Sequence, residues 1–466
     1  MRLVAIGGSD AGISAALRAR ELDPGAEVTV VLADAYPNFS ICGIPYFVSG
    51  EVEHWRKLAH RSIADLEATG MRLRLDTLVL RIDPDDHRVL LAGASGAEEW
   101  LDYDALIVGT GAVPVRPVID GLDRLGAADG VHLLHTMGDT FALMRTLEQR
   151  PVERAVIVGA GYVGLEMAEA LTARGLSVTQ LEQLPEVLPT VDPELGALVR
   201  AELQRNRVAV SRDTRVEAIV NAPAGAPGRL EVRATGPGGE PLRFPADLVL
   251  VSVGVRPDSE LAATAGAQLG TKGAIAVDRQ MRTNLPDVFA AGDCVVTHHR
   301  LLGTGYLPLG TTAHKQGRIA GENALGGSRE FAGSLGTQVV KVFELVAART
   351  GLRDGEAAAA GFDPLTIGSE ADDHKAYYPG SHPIAMRFTA DLADGRLLGV
   401  QLVGDLGSEI AKRIDIPATA IFNEMTIDGL SDLDLSYTPP LGSPWEALQA
   451  GAQAWERQAL AMERLG

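Results

Sequence analysis

The chain twice repeats one local order: a short apolar strand, a glycine turn, a helix lined with small residues, and a second apolar strand closing on an acid. The first copy is "LVAIGGSDAGISAALRAREL", where Gly7 and Gly12 take the first and third places of a G-x-G-x-x-G turn and Ser9 stands in the middle place. The second is "RAVIVGAGYVGLEMAEAL", with Gly159, Gly161 and Gly164 in full spacing. A strand that turns at once into a helix returns to its sheet by a right-handed crossover, so each copy predicts a parallel sheet covered by helices. Backbone N–H groups at such a helix start can approach a diphosphate, which makes both copies dinucleotide-binding units. The strand "EVTVVLAD" offers Asp34 to a ribose hydroxyl in the first unit, and "LSVTQLE" offers Glu182 in the second. A carboxylate there accepts hydrogen bonds from a free ribose and repels a 2′-phosphate. Neither Gln183 nor Leu184 supplies a compensating cation, so NADH is expected in preference to NADPH.

Two further strand ends extend the pattern. "YDALIVGTGAVPVRP" is a buried strand ending in Thr110-Gly111-Ala112, as at a crossover between domains, and "LPDVFAAGDCVV" closes on Gly292-Asp293. An aspartate so placed can point at a ribityl or ribose hydroxyl; the bland alternative for both stretches is turn chemistry. The expected organisation is a discontinuous first domain, residues 1–115 and 245–325, enclosing a second at 116–244. A third domain at 326–466 ends in the helical stretch "PWEALQAGAQAWERQALAMERL". The fold class is therefore α/β: two Rossmann-like domains followed by an α+β domain.

A formal net charge of −19 argues against nucleic acid and anionic membranes as partners, yet leaves room for anionic cofactors bound locally at helix starts. No apolar stretch approaches membrane-spanning length, and the opening "MRLVAIGG" reads as a strand rather than a signal peptide. With two cysteines no disulfide framework is available, so a reducing, cytoplasmic setting is expected. No metal ligand set is expected either.

One of those cysteines stands in "NFSICGIPY". Proline is welcome in the first turn of a helix, so Cys42 is placed at or just before a helix start, where N–H groups favour a thiolate. A small buried hydrophobe is the competing reading. Position 47 is Phe, so a Cys-x4-Cys disulfide is impossible, and Cys294 reads as a buried strand-end residue.

In this order, the glycine turn, "SICGIPY", "GTGA", "GAGYVG" and "AAGD" resemble the flavin-dependent pyridine-nucleotide disulfide reductases. The resemblance is to their single-cysteine branch of coenzyme A-disulfide reductases, NADH peroxidases and NADH oxidases. "GTQVVKVFELVAARTGL", "YYPGSHPI" and "KRIDIPATAIFNEMTIDGLSDLDLSYTPPL" are similar to that branch's dimerisation domain. The resemblance implies FAD held by Gly7, Gly8, Gly12, Asp34, Thr110, Gly111 and Asp293. It implies NAD(P)H held by Gly159, Gly161, Gly164 and Glu182, with Tyr162 as the aromatic that shields the flavin and Glu166 near the nicotinamide. Cys42 would be the redox sulfur, carrying a mixed disulfide in the reductases or a sulfenic acid in the peroxidases and oxidases. Tyr377 or Tyr378 and Tyr437 would reach the partner subunit's redox sulfur in a homodimer, and Arg18, Arg20 and Arg61 would lie near the nucleotide end of coenzyme A. On an ideal helix Arg18 and Arg20 point about 200° apart, and a solvated charged face is the alternative for them.

Three positions depart from the pattern. Asp10 stands where the peroxidases and oxidases carry histidine; a carboxylate there repels a sulfenate, or it is simply the N-cap of the first helix. Asn38 replaces a common serine. Leu32 occupies the usual place of the flavin-site acid, with Asp34 two residues later. The expected activity is NADH-dependent reduction, through Cys42, of a small disulfide, coenzyme A disulfide or polysulfide-like. The alternatives are an NADH oxidase or peroxidase and a flavin-based redox sensor.

Overall fold

The strand Arg2–Ile6 sends its side chains alternately into two cores. Leu3 and Ala5 join Ala11, Ala15 and Ala19 beneath the helices, while Val4 and Ile6 join Val89, Leu91, Leu106 and Val108 on the other face. That strand is the centre of a parallel five-stranded sheet. Its order is Val288–Ala290, Ala105–Val108, Arg2–Ile6, Glu27–Val31, Arg72–Arg74. Each fully buried Leu or Ile of these strands contributes about 1.5–3 kcal/mol. The structure, a computed structural model, describes residues 1–464. It divides into two units: Met1–Val115, His135–Phe141 and Gly254–Ser334 form the first; Arg116–Leu134, Ala142–Val253 and the chain from Leu335 form the second.

In the first unit, the helices Asp10–Leu22 and Gly310–Ala324 approach closely. A Cβ on Gly317 would stand 2.3 Å from the Ala11 carbonyl oxygen, and one on Gly321 would stand 2.3 Å from that of Ala15. A three-stranded antiparallel sheet, Leu78–Asp83, Arg88–Ala92 and Glu98–Asp102, covers the opposite core.

The second unit holds the other parallel sheet, ordered Ala209–Ser211, Ser177–Leu181, Arg154–Val158, Leu248–Val251, Val131–Leu133. The expected return to the first domain at residue 245 comes too early. Leu248–Val251 pairs in register with Ala155–Val158, so the chain stays in the second unit through Val253. An apolar run such as "LVLV" carries no mark of which sheet it enters. The second unit also contains an antiparallel sheet ordered Gln338–Val342, Leu345–Gly351, Leu397–Asp405, Pro383–Asp391, Pro364–Asp372. The terminal helix Ala447–Glu463 lies against it, with the Trp455 indole donating to Leu365 O at 2.7 Å. Residues 465 and 466 of the expected third domain lie outside the described residues.

Candidate functional site

Both glycine turns are built alike. Gly7 and Gly159 have φ of 107° and 102°, and their N–H groups donate at 2.8 Å to Val31 O and Leu181 O, the last residues of the neighbouring strands. A Cβ at Gly7 would meet Gly109 O at 2.0 Å, and one at Gly159 would meet Ser252 O at 2.2 Å. The closing glycines let helix pack on turn: a Cβ at Gly12 would stand 2.0 Å from Gly7 O, and one at Gly164 would stand 2.3 Å from Gly159 O. The middle place behaves differently. Nothing lies within 4 Å of a Cβ built on Gly161, so the turn is open on the side where a diphosphate would approach. The helices that follow, Asp10–Leu22 and Tyr162–Ala173, are long enough to present an oriented dipole to that anion. Both turns fit a dinucleotide diphosphate.

The strand-end acids differ between the units. Glu182 is buried; its carboxylate accepts from Ala160 N at 2.8 Å and from Leu184 N at 2.9 Å. The equivalent place in the first unit is Leu32, which packs so tightly on Gly8 that any Cβ there would overlap it. An apolar contact thus replaces a carboxylate-to-turn hydrogen bond. Asp34 lies beyond the strand end, exposed, and accepts from Tyr36 N at 2.9 Å in an Asx turn.

The expected helix start after Cys42 is present. Ile41–Gly43 forms a 3₁₀ turn with Cys42 exposed, followed by the short helix Ile44–Ser49 with Pro45 in its first turn. Asn38, at φ 58°, donates its N–H to Gly8 O at 2.7 Å, so the cysteine loop hangs from the first glycine turn. Asn tolerates that left-handed backbone better than most residues. Tyr36, Phe39, Trp55 and Phe141 pack edge to face or stacked and fix the base of the loop. Cys294, by contrast, is fully buried, and its sulfur lies 3.4 Å from Ala291 O. Burial pushes its thiol up to about 11, so it stays protonated and inert.

At the crossover, Thr110 donates its hydroxyl to Asp258 O at 2.5 Å, and Asp258 N donates to Gly111 O at 3.0 Å. Burial, then the charge of Asp10, pushes the Asp293 carboxyl up to about 6, against a bond from Leu309 N–H. Asp10 is the first residue of its helix, not its N-cap; Ser9 holds the cap place without a side-chain bond. Sequence reasoning missed the partner of Asp10. His314 Nε2 lies 3.2 Å from Asp10 Oδ1, and its Nδ1 lies 2.8 Å from Ser14 Oγ.

The three arginines are not brought together. Arg18 is held by Glu322 at 2.7 Å and Glu21 at 3.0 Å, and Arg20 donates to the carbonyls of Thr69, Pro24 and Ala26. Arg20 is a strut for its own loop, which corrects the expectation of a substrate contact. Arg61 is exposed and reaches Asn38 Oδ1 at 3.4 Å, beside the cysteine loop.

In the second unit, Tyr162 opens its helix and accepts from the Thr190 hydroxyl at 3.3 Å. One turn on, burial, and then the Glu169 charge, raises the Glu166 carboxyl to about 7, with Lys341 opposing. Tyr377 and Tyr437 are both exposed; slight desolvation and then the neighbouring Tyr437 hydroxyl raise the phenol of Tyr377. Tyr378 instead sits edge-on to His374, at 5.8 Å between ring centroids. Among the described residues, no group of three or more His, Cys, Asp or Glu side chains is arranged to hold a metal. No helix among them is long and apolar enough to cross a membrane.

A family profile, pyridine nucleotide-disulphide oxidoreductase, matches residues 1–317. The chain belongs to this family. The family's dimerisation domain matches residues 337–448. The chain is similar to an NAD(P)H sulfur oxidoreductase (CoA-dependent) of Pyrococcus furiosus, 34% identical over 457 residues that cover 96% of this chain and 97% of that one. It is also similar to an NADH oxidase of Methanocaldococcus jannaschii, 32% identical with 97% and 98% covered. Among solved structures, an NAD-dependent persulfide reductase from A. fulgidus superposes with a TM-score of 0.91 at 37% identity, covering 98% of this chain and 83% of that one. This pyridine nucleotide-disulphide oxidoreductase is therefore an FAD-dependent NAD(P)H oxidoreductase, with two Rossmann-like sheets and an antiparallel sheet in its dimerisation domain. Its relatives divide between reductases of coenzyme A disulfide or sulfur compounds and NADH oxidases.

Proposed function

We propose that the protein reduces a small disulfide or persulfide with NADH through a mixed disulfide on Cys42. The observation that carries this reading is a single accessible sulfur. Cys42 is exposed in a turn tied to the first glycine cradle, position 47 is Phe, and Cys294 is buried. The second sulfur must then come from substrate. The Cys42 thiolate attacks one sulfur of the substrate, the substrate's S–S bond breaks, and the other half leaves as a thiolate that takes a proton. Two further electrons cleave the mixed disulfide and return Cys42 to a thiolate. FAD, when bound by the first unit through Gly7, Gly8, Gly12 and Asp293, supplies those electrons after accepting a hydride from NADH. Glu182 and the Gly159–Gly164 turn of the second unit hold the NADH. The Tyr377–Tyr437 pair, on a chain carrying the family's dimerisation domain, is assigned to protonating the leaving thiolate in a homodimer.

Intact-mass analysis tests this directly. NADH-reduced protein mixed with pantethine and quenched should gain one pantetheine on the peptide holding Cys42. A peptide bearing only added oxygen would replace the mixed disulfide with a sulfenate and favour the oxidase or peroxidase reading. Coenzyme A disulfide falls in the same substrate class. Because Arg18 is neutralised by two glutamates and Arg20 is committed to carbonyls, kcat/KM for coenzyme A disulfide should exceed that for pantethine by less than about tenfold. A larger advantage would show that the nucleotide phosphates find cations elsewhere.

Glu166 gives a pH signature. Below about 7 it is a neutral acid, and above it is a second carboxylate beside Glu169. KM for the anionic NADH should rise several-fold as pH passes 7, and Glu166→Gln should flatten that rise. The same raised value has a stability consequence. The unfolded group ionises near 4.5, so its favourable contribution is complete below that and lost as pH climbs through 7. The loss is up to about 3 kcal/mol, because each tenfold change in acidity between the unfolded and folded group is worth about 1.4 kcal/mol. Melting curves should therefore fall more steeply from pH 5 to 8 for the wild type than for Glu166→Gln; parallel curves would reject the buried-acid assignment.

A further inference from the structure

We infer that His314 is a positioning residue for flavin retention: it holds the Asp10 carboxylate so that the first glycine turn can accept the cofactor's diphosphate. The inference rests on the reading that the first unit binds FAD.

The starting point is an electrostatic conflict. A helix start that cradles a diphosphate favours anions, yet Asp10 puts a fixed negative charge in the first turn of that same helix. A carboxylate and a diphosphate competing for one set of N–H groups repel each other, and the repulsion weakens only if the carboxylate is held and compensated. The neighbouring helix Gly310–Ala324 does both. Its own N-terminal residue, Gly310, faces Asp10 so closely that a Cβ there would lie 2.9 Å from Asp10 Oδ2. One turn on, His314 reaches Asp10 Oδ1 with Nε2 at 3.2 Å. Ser14, on the Asp10 helix, engages the other ring nitrogen at 2.8 Å and fixes the plane of the imidazole. Nε2–H therefore donates to Asp10 whether the ring is neutral or charged.

Of the other charges along the same helix pair, Lys315 is exposed, and the arginines and glutamates are paired further from the turn. Arg18 bonds Glu322 and Glu21, and Arg318 lies 3.5 Å from Glu21. The charge of Asp10 is felt inside the cradle, since, after burial, it adds to the upward push on the Asp293 carboxyl. The close helix contact at Ala11–Gly317 sets the distance across which His314 works.

The test measures FAD release from the holoenzyme by the rise in flavin fluorescence on dilution. His314→Ala should release FAD about tenfold faster, equivalent to about 1.4 kcal/mol. Asp10→Asn should release it no faster than wild type, and adding Asp10→Asn to His314→Ala should restore the rate to within about twofold of wild type. His314→Gln, which keeps a donor toward Asp10, should lie between. A loss that comes only from disturbed packing would not be repaired by neutralising Asp10. Unchanged release in His314→Ala, or an unrescued double variant, overturns the inference alone. A wild-type protein that retains no flavin overturns the FAD reading and the inference together.

Discussion

Replacing Cys42 by serine is expected to abolish disulfide reduction, by about a thousandfold or more, while the protein keeps its FAD and NADH still bleaches the flavin. The separation of effects follows from where the residue sits. Cys42 is exposed in a three-residue turn, and the loop is held by bonds that do not use its sulfur: Asn38 N to Gly8 O, Ser40 N to Leu58 O at 2.8 Å, and the aromatic cluster around Trp55. Serine therefore fits the turn without moving the glycine cradle. Its hydroxyl has neither the acidity to attack a disulfide nor a sulfur that can carry one. Stopped-flow absorbance would report NADH-to-flavin reduction in the variant, and steady-state turnover with pantethine would report the loss. Retention of even a tenth of the turnover would remove Cys42 from the pathway and with it the mixed disulfide. Cys294→Ser is the informative companion. It puts a hydroxyl into a fully buried site, so it should lower the melting temperature and leave turnover per folded protein intact.

What is legible in the sequence is local. The two glycine turns, the strands on either side, the turn at Cys42 and the burial of Cys294 all follow from patterns a few residues long, and the structure carries each of them. What is not legible depends on contacts between distant segments. Asp10 and Leu32 stand out as departures, but not for what they do. Leu32 fills the space above Gly8, and Asp10 is met by His314, which is bonded to Ser14 300 residues away in the chain. A signal for the latter exists in "GTTAHKQG", a helix start soon after "AAGD" with a lone imidazole one turn in. Spacing alone cannot tell which helix it will face. Arg18 and Arg20 fail as a pair for the same reason: their partners, Glu322 and the Thr69 carbonyl, belong to other elements. The domain return near 245 is misplaced because a buried parallel strand is apolar throughout, whichever sheet receives it.

Glu182 is expected to have the second large effect. Glu182→Ala should lower the ratio of kcat/KM for NADH over NADPH by about a hundredfold, and adding Gln183→Arg should lower it further. Two contributions combine. The carboxylate offers its free lone pairs to the ribose hydroxyls and repels a 2′-phosphate, so its removal weakens one cofactor and admits the other. It also braces the turn by accepting from Ala160 N at 2.8 Å and Leu184 N at 2.9 Å. Truncation leaves the Ala160 N–H without that acceptor in a buried place, a loss of about 1–3 kcal/mol. The two can be told apart, since bracing affects both cofactors alike and appears in the melting temperature of the cofactor-free protein. Glu182→Gln removes the charge but keeps only one of the two acceptor oxygens, so it should lower the melting temperature less than alanine does and still relax the preference. A ratio that does not move in either variant would mean that the adenosine ribose is read elsewhere. The first turn offers a ready contrast: with Leu32 at the equivalent place it has no carboxylate to lose, so Leu32→Ala should leave NADH discrimination untouched.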